Sequence, residues 1–179
     1  GVKKIEKLML PRTFGLAINQ INQVINTGIS STLAAGSVAI FNAANNLQNV
    51  PIGIFAIPLA LAYFPVFSEA WVKRDIPRLI FSLSRALRHL LFIAIPAAVF
   101  MILLRAQIVR LILGSGQFDW EATILTARTL SFFALSLFAQ CLIPLLARVF
   151  YSLQDTRTPV IISVFSLLIN IGLSLPLTR

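Results

Sequence analysis

The sequence has little charge, and it is especially poor in acidic residues. Of its 179 residues only 12% are charged and 58% are hydrophobic, and the mean hydropathy is +0.87. A soluble domain carries about 25% charged residues, so this chain has too few to cover a globule with a solvated surface. These proportions exclude a soluble enzyme and a disordered tail, and they predict a membrane protein.

Reactive groups are scarce as well. The single cysteine, Cys141, lies in an apolar run and cannot pair within the chain, so we expect a buried thiol. All six acidic residues fall in predicted loops or interfaces, which leaves no carboxylate for a proton relay inside a span. No nucleophile–base set, paired carboxylates, phosphate loop or metal cluster is recognisable. We therefore do not expect an enzyme.

Five runs are candidates to cross a bilayer, which takes about 20 mostly apolar residues, although the first is marginal because it contains five Asn and Gln residues. They cover residues 14–33, 38–67, 87–104, 122–147 and 159–177. Between the third and fourth runs, an amphipathic stretch before Gly114–Ser115–Gly116 predicts a short interfacial helix, with Phe118 and Trp120 at headgroup level. The predicted fold is an all-α polytopic membrane bundle of about five transmembrane helices plus this short helix. Residues 1–179 form one membrane domain, which we expect to be a fragment of a longer protein.

The basic residues predict the orientation of the bundle. The chain has 15 Lys and Arg against 6 Asp and Glu. With a cytoplasmic N-terminus, eleven of the basic residues fall on the inside and only Arg105, Arg110, Arg128 and Arg179 on the outside. This bias follows the positive-inside rule. Because the charges lie at helix ends instead of along one face, no nucleic-acid partner is expected.

Two stripes of polar residues interrupt the first two predicted spans. Their spacing of three, four and seven residues places each stripe on one helical face. The first consists of Asn19, Asn22, Gln23, Asn26 and Ser30, and the second of Asn42, Asn45, Asn46 and Asn49. Side-chain amides left unpaired in hydrocarbon are costly. The stripes therefore either join helices by hydrogen bonds or line a wet cavity, and two consecutive stripes favour the cavity.

Prolines then break the second span. Pro51, Pro58 and Pro65 are spaced by seven, and Gly53 stands next to the first. Each proline removes a hydrogen-bond donor and frees a carbonyl one turn earlier. Such breaks persist in membranes where protein or water satisfies the freed groups. We predict a hinge or an unwound stretch at Pro51, Gly53 and Pro58, of the kind seen in transporters; a simple packing kink is the alternative.

Several motifs resemble those of a known family. They are P-x-x-x-G-x-A-x-x-Q-I-N from Pro11, L-x-x-x-P-x-G-I-F from Leu47, and R-x-F-Y-x-x-x-D-T-x-T-P-V from Arg148. In order and spacing they resemble the MurJ (MviN) family. The resemblance implies a two-lobed, fourteen-helix transporter of the multidrug/oligosaccharidyl-lipid/polysaccharide superfamily, of which this chain matches helices seven to eleven. It also implies that lipid II, a peptidoglycan precursor, is flipped across the bacterial cytoplasmic membrane by alternating access.

The same resemblance assigns roles to individual residues. In the family, the helices that match the first two spans, which carry the amide stripes, line the central cavity. The partners of this chain would then be the lipid-linked oligosaccharide, membrane lipids and the remaining lobe. Where many members carry an acidic–Arg pair, this chain has Asn45 and Asn46. The remaining candidates for phosphate anchors are Arg12 and Arg148, whose alternative role is anchoring at the membrane interface.

The resemblance also bears on energy coupling. Some members bind Na⁺, and the matching positions here are Asn26, Asn170 and Ser174. These groups carry no charge, so any sodium contact should be weak, and no firm metal site or other cofactor is expected. Coupling to Na⁺ or to the membrane potential remains open. Two other functions are compatible with the sequence: a non-transporting scaffold that binds the lipid-linked precursor or partner proteins, and an exporter of drugs or cations.

Overall fold

The computed structural model describes residues 20, 24, 28, 36–113 and 120–177, and all regular structure among them is helical. In chain order the elements are α1 (Ser37–Pro51), a π segment (Ile52–Ala56), α2 (Ile57–Val72), α3 (Ile76–Leu103), α4 (Arg105–Leu113), α5 (Trp120–Ser152) and α6 (Arg157–Leu177). Three described stretches are long and apolar enough to span a membrane, namely Ser37–Val72, Ile76–Leu103 and Trp120–Ser152. The all-α membrane fold is thus confirmed.

The helices extend beyond the predicted spans. α3 begins at Ile76 and not near residue 87, because Asp75 caps it: the carboxylate accepts the Arg78 N–H at 3.0 Å, and Pro77 stands in the first turn. The added turns are amphipathic, with Leu79 buried and Arg78 exposed, so a hydropathy window misses them. The first predicted span lies outside the described residues, apart from residues 20, 24 and 28, which are helical and exposed.

α5 is the central helix of the bundle and contacts every other described element. Its buried residues recur every three or four positions, among them Leu130, Ala134, Leu137, Cys141 and Leu145. This spacing keeps one stripe in contact with neighbouring helices. The buried Cys141 thiol confirms its predicted place. Alanines recur at the facing positions of α1 to α3 and allow the backbones to approach closely.

The predicted short helix is also present, as α4. Its Val109 is fully buried whereas Leu111 is 85% exposed, which is the two-faced pattern expected from the sequence. At its start the Arg105 guanidinium donates to the Ser131 hydroxyl of α5 at 3.0 Å. α4 is therefore packed against α5 and exposes its other face. Phe118 lies outside the described residues, and Trp120 is exposed at the start of α5.

Two turns of the same design close one end of the bundle. After α2, the Asp75 N–H bonds to the Ala70 carbonyl and the Arg74 N–H to the Trp71 carbonyl; after α5, Asp155 and Gln154 make the equivalent bonds to Phe150 and Tyr151. These are paired Schellman bonds. Arg74 and Gln154 adopt left-handed backbone conformations, with φ of 56° and 60°.

Each turn passes directly into the next helix through an aspartate. The Asp155 carboxylate accepts the backbone N–H groups of Arg157 and Thr158 at 3.0 and 3.1 Å, and also the Thr158 hydroxyl. The hydroxyl of Thr158, followed by its backbone amide, lowers the pKa of the Asp155 carboxyl below its usual range. The D-T-x-T-P motif is therefore a capping device for α6.

Candidate functional site: an amide face and a distorted helix

The second amide stripe lies on the face of α1 that points away from the bundle. Ala44, Leu47 and Gln48 are the buried residues of α1. At about 100° per residue, the four asparagines centre roughly 160° from these three around the helix. Three of the asparagines are exposed, namely Asn42, Asn46 and Asn49, and the fourth, Asn45, is half-buried. None of the four makes a side-chain hydrogen bond to another described residue, so this face is open.

Gln48 joins the helices in place of the asparagines. Its side chain is only 2% exposed. Its Nε2 donates to the Phe133 carbonyl at 2.9 Å and to the Ser136 hydroxyl at 3.1 Å, both on α5. Phe41 reinforces the same contact through an edge-to-face pairing with Phe133, with ring centroids 5.4 Å apart. The amides of α1 thus have two different roles. Gln48 joins α1 to α5 by hydrogen bonds, whereas the asparagines bind no described helix and are available to another partner.

Sequence reasoning did not select Gln48, although a signal was available. Gln48 follows Ala44 by four residues and adjoins Leu47, so it shares the apolar face of α1. The asparagines at 42, 45, 46 and 49 occupy the other face. Sorting polar residues by the face they share with alanine and leucine separates the two roles.

The helix is distorted where the hinge was predicted. Residues Ile52–Ala56 form a π segment directly after Pro51, and the Ile57 N–H bonds to the Ile52 carbonyl, five residues back. Pro58 follows in the first turn of α2. The chain is not unwound, because Pro51 and Ile57 at the two ends of the segment keep right-handed helical angles; the unwound alternative is wrong. π-bulges within helices are common at functional sites.

Whether this segment bends in function stays a prediction. Gly53 is exposed, and a Cβ built there meets nothing within 4 Å. The glycine is therefore not required by close packing against another described element. Its remaining effects are to lower helix propensity and to ease backbone rearrangement. Pro51 and Pro58 flank the π segment, and Gly53 lies within it.

Arg148 lies near the end of the bundle where the two turns are. It is half-buried, and its guanidinium carbon stands 5.9 Å from the centroid of the Phe64 ring on α2. Next to Phe64 on α2, the Tyr63 hydroxyl shares a 2.9 Å hydrogen bond with His89 Nδ1 of α3. The aromatic contact orients Arg148 but occupies no hydrogen-bond donor, so the guanidinium is left able to bind an anion. Its role as a phosphate anchor stays a prediction.

Asn170 on α6 carries the only buried, unpartnered side-chain polar atom among the described residues, its Oδ1. An amide oxygen in this state is suited to a hard cation. Its predicted companions, Asn26 and the side chain of Ser174, lie outside the described part of the chain, as do Arg12, Asn19, Asn22, Gln23 and Ser30. The sodium contacts and the first amide stripe therefore stay predictions.

An all-helical bundle with three membrane-length apolar stretches, an open amide face and a π-distorted helix next to it defines a segment of a polytopic membrane protein. The comparisons with known proteins identify it further. The sequence model of the family described as "Lipid II flippase MurJ" matches residues 1–179. The chain therefore belongs to the MurJ family.

Individual relatives agree with this assignment. The chain is 31% identical over 170 residues to the Lipid II flippase MurJ of Burkholderia cenocepacia, covering 95% of the chain and 33% of the relative. It is 32% identical over 177 residues to the Probable lipid II flippase MurJ of Rhizobium meliloti, covering 99% and 33%. A solved structure titled "Lipid II flippase MurJ, inward closed conformation" superposes with a TM-score of 0.83 at 27% identity, covering 94% of this chain and 36% of that one. The chain spans about a third of the length of these relatives.

Proposed function

We propose that this chain is part of a transporter that flips lipid II across the bacterial cytoplasmic membrane by alternating access. The observation that carries the proposal is the open amide face of α1. Asn42, Asn46 and Asn49 are exposed although they lie on a membrane-length apolar helix. A bilayer does not satisfy amides, so these groups are matched to the sugar and peptide hydrogen-bonding groups of a glycan-peptide headgroup.

The adjoining π segment suits a transport cycle. Alternating access requires one part of the protein to move against another around a fixed site. The segment Ile52–Ala56 lies on the same continuous helix as the amide face, a few residues further along. A change in its hydrogen bonding would redirect α1 relative to α2 without breaking either helix. We place the N-terminus of the chain in the cytoplasm, on the basis of its charge distribution.

The test removes two amides from α1 and makes one apolar control change on α3. Depletion of the protein should reduce the lipid II that is accessible at the outer leaflet, and re-expression of wild type should restore it. Asn42→Leu combined with Asn46→Leu should fail to restore export at normal protein levels. The matched control is Phe92→Leu, which alters a side chain that is 80% exposed on α3. Normal export by the double variant would contradict a role for the amide face.

A second candidate function is a non-transporting scaffold that binds the lipid-linked precursor. The observation that favours it is Asn46 itself, which stands exposed where the family resemblance leads one to expect arginine. An amide lacks the charge and the bidentate geometry with which guanidinium holds phosphate. If the scaffold assignment is correct, depletion leaves lipid II export unchanged while the protein still retains the precursor on purification.

A further inference from the structure

The two matching turns meet at a cleft. An open cavity of about 530 Å³ is lined by Trp71, Val72, Arg74, Ile76 and Gln154. Trp71 and Val72 end α2, Arg74 lies in the turn that follows, and Ile76 begins α3, whereas Gln154 belongs to the turn between α5 and α6. The two left-handed residues, Arg74 and Gln154, therefore both line the same space.

The backbone at these two positions favours glycine. The residue that follows a Schellman-terminated helix adopts the left-handed conformation, which most side chains disfavour. Here the two positions carry Arg74 and Gln154, two long side chains that donate hydrogen bonds. Neither residue adopts the left-handed conformation as readily as glycine does. Their presence at these positions therefore indicates that the two side chains have a function of their own.

The charge at this end of the bundle is unbalanced. Glu69 is already engaged by Lys73 at 2.6 Å and by Arg78 at 3.6 Å. The carboxylates of the two turn aspartates accept hydrogen bonds that cap α3 and α6. Among the described residues Arg74 has no acidic partner, so its guanidinium is available to an external anion.

The rest of the lining is apolar and exposed. Trp71 is 39%, Val72 79% and Ile76 44% exposed, and all three lie where membrane-length helices end. Tryptophan is enriched at this depth, where one side of the ring meets hydrocarbon and the other meets headgroups. A free guanidinium, an amide and an apolar wall at a helix end match a phosphate that is joined to acyl chains.

We propose that this cleft binds the headgroup phosphate of an anionic phospholipid of the surrounding bilayer. Arg74 supplies charged donors to the phosphate and Gln154 supplies a neutral one. Trp71, Val72 and Ile76 contact the glycerol and upper acyl chain. Binding at this place ties the turn after α2 to the turn after α5 through a lipid, and it is independent of what the protein transports.

The experiment measures how strongly lipids quench the fluorescence of Trp71, and it uses the whole protein that the gene encodes. The protein is reconstituted in vesicles that contain either brominated phosphatidylglycerol or brominated phosphatidylcholine at equal fractions, and the signal of a Trp71→Phe variant is subtracted. Arg74→Gly removes the guanidinium while giving the backbone its preferred residue, so folding is not at risk. Arg74→Gln gives the turn after α2 the residue that Gln154 provides at the equivalent position of the turn after α5. Arg110→Ala, an exposed arginine of α4 at the other end of the bundle, is the control.

We expect phosphatidylglycerol to quench Trp71 more strongly than phosphatidylcholine, and Arg74→Gly and Arg74→Gln each to weaken this preference about fivefold, the effect of one basic residue at an anionic surface. Arg110→Ala should keep the preference, and the melting temperature of Arg74→Gly should equal or exceed that of wild type. Equal quenching by both lipids, or an unchanged preference in both Arg74 variants, would overturn the proposal. Loss of the preference on adding inorganic phosphate would overturn it in favour of a soluble-anion site.

Discussion

Replacing Gln48 by leucine tests how α1 is held against α5. Leucine has nearly the volume of glutamine, so Gln48→Leu removes the amide without opening a large cavity. The change deletes the two hydrogen bonds from Nε2, to the Phe133 carbonyl at 2.9 Å and to the Ser136 hydroxyl at 3.1 Å. Because Gln48 is only 2% exposed, water cannot replace either bond.

The expected loss of stability is small. Hydrogen bonds between membrane helices contribute ~0.6 kcal/mol on average and ~1.7 kcal/mol at most. The Ser136 hydroxyl still donates to the Phe133 carbonyl at 2.9 Å after the change, so that acceptor is not left unpaired. We therefore expect Gln48→Leu to cost about 1 kcal/mol. Leu137→Ala, at a fully buried position of α5, should cost more, about 2–5 kcal/mol.

The measurement is the unfolding midpoint in mixed micelles titrated with a denaturing detergent. Ser136→Ala and the double variant complete a cycle that isolates the energy of the Gln48–Ser136 contact. Asn46→Leu, on the open face, should leave the midpoint within error. A loss in Gln48→Leu that exceeds the loss in Leu137→Ala would refute the reasoning, because a single polar contact would then outweigh core packing. A gain in stability would refute it as well.

Three further changes probe the backbone and the turn after α5. Gly36 has φ of 91° with nothing within 4 Å of a built Cβ, so Gly36→Ala should lower thermal stability by about 1–2 kcal/mol through backbone strain alone. Gly53→Ala should raise thermal stability by about 0.5–1 kcal/mol and, if the π segment rearranges, slow lipid II export. The pKa of Asp155 is lowered on folding, so its stabilising effect holds above the ordinary value of about 3.9 and disappears as the pH falls through the folded pKa. The melting temperatures of wild type and Asp155→Ala should therefore converge in acid.

Long helices were predictable because hydropathy and spacing act over many residues. The predicted runs near 38–67 and 122–147 both appear within longer helices, Ser37–Val72 and Trp120–Ser152. Their ends were missed because capping depends on a few local bonds. Asp75 starts α3 through one hydrogen bond to the Arg78 N–H, and a window of about 20 residues averages such a signal away.

The candidate site was predictable in outline. The spacing of the asparagines was sufficient to place them on one face of α1, and the proline positions were sufficient to mark residues 51–58 as irregular. That the irregularity is a π segment was not predictable, because a proline can be accommodated by a kink, a wide turn or an unwound stretch at similar cost. The cleft at Arg74 and Gln154 was invisible for another reason: two turns far apart in the sequence create it, and the motif in the second turn does not show that the first lies beside it.

Gln48 and the asparagines of α1 have different roles because an unpaired amide costs free energy. A buried amide without a partner costs about 1–3 kcal/mol, and Gln48 avoids that cost through α5. The four asparagines have no such partner within the described chain, and the three that are exposed would together oppose insertion into lipid. Because no described residue pairs with these amides, we propose that the surface that satisfies them lies outside the described helices. In the proposed transporter, that surface is a water-filled path shared with the rest of the protein. Under that proposal, the amide face is the part of this chain that would meet the substrate.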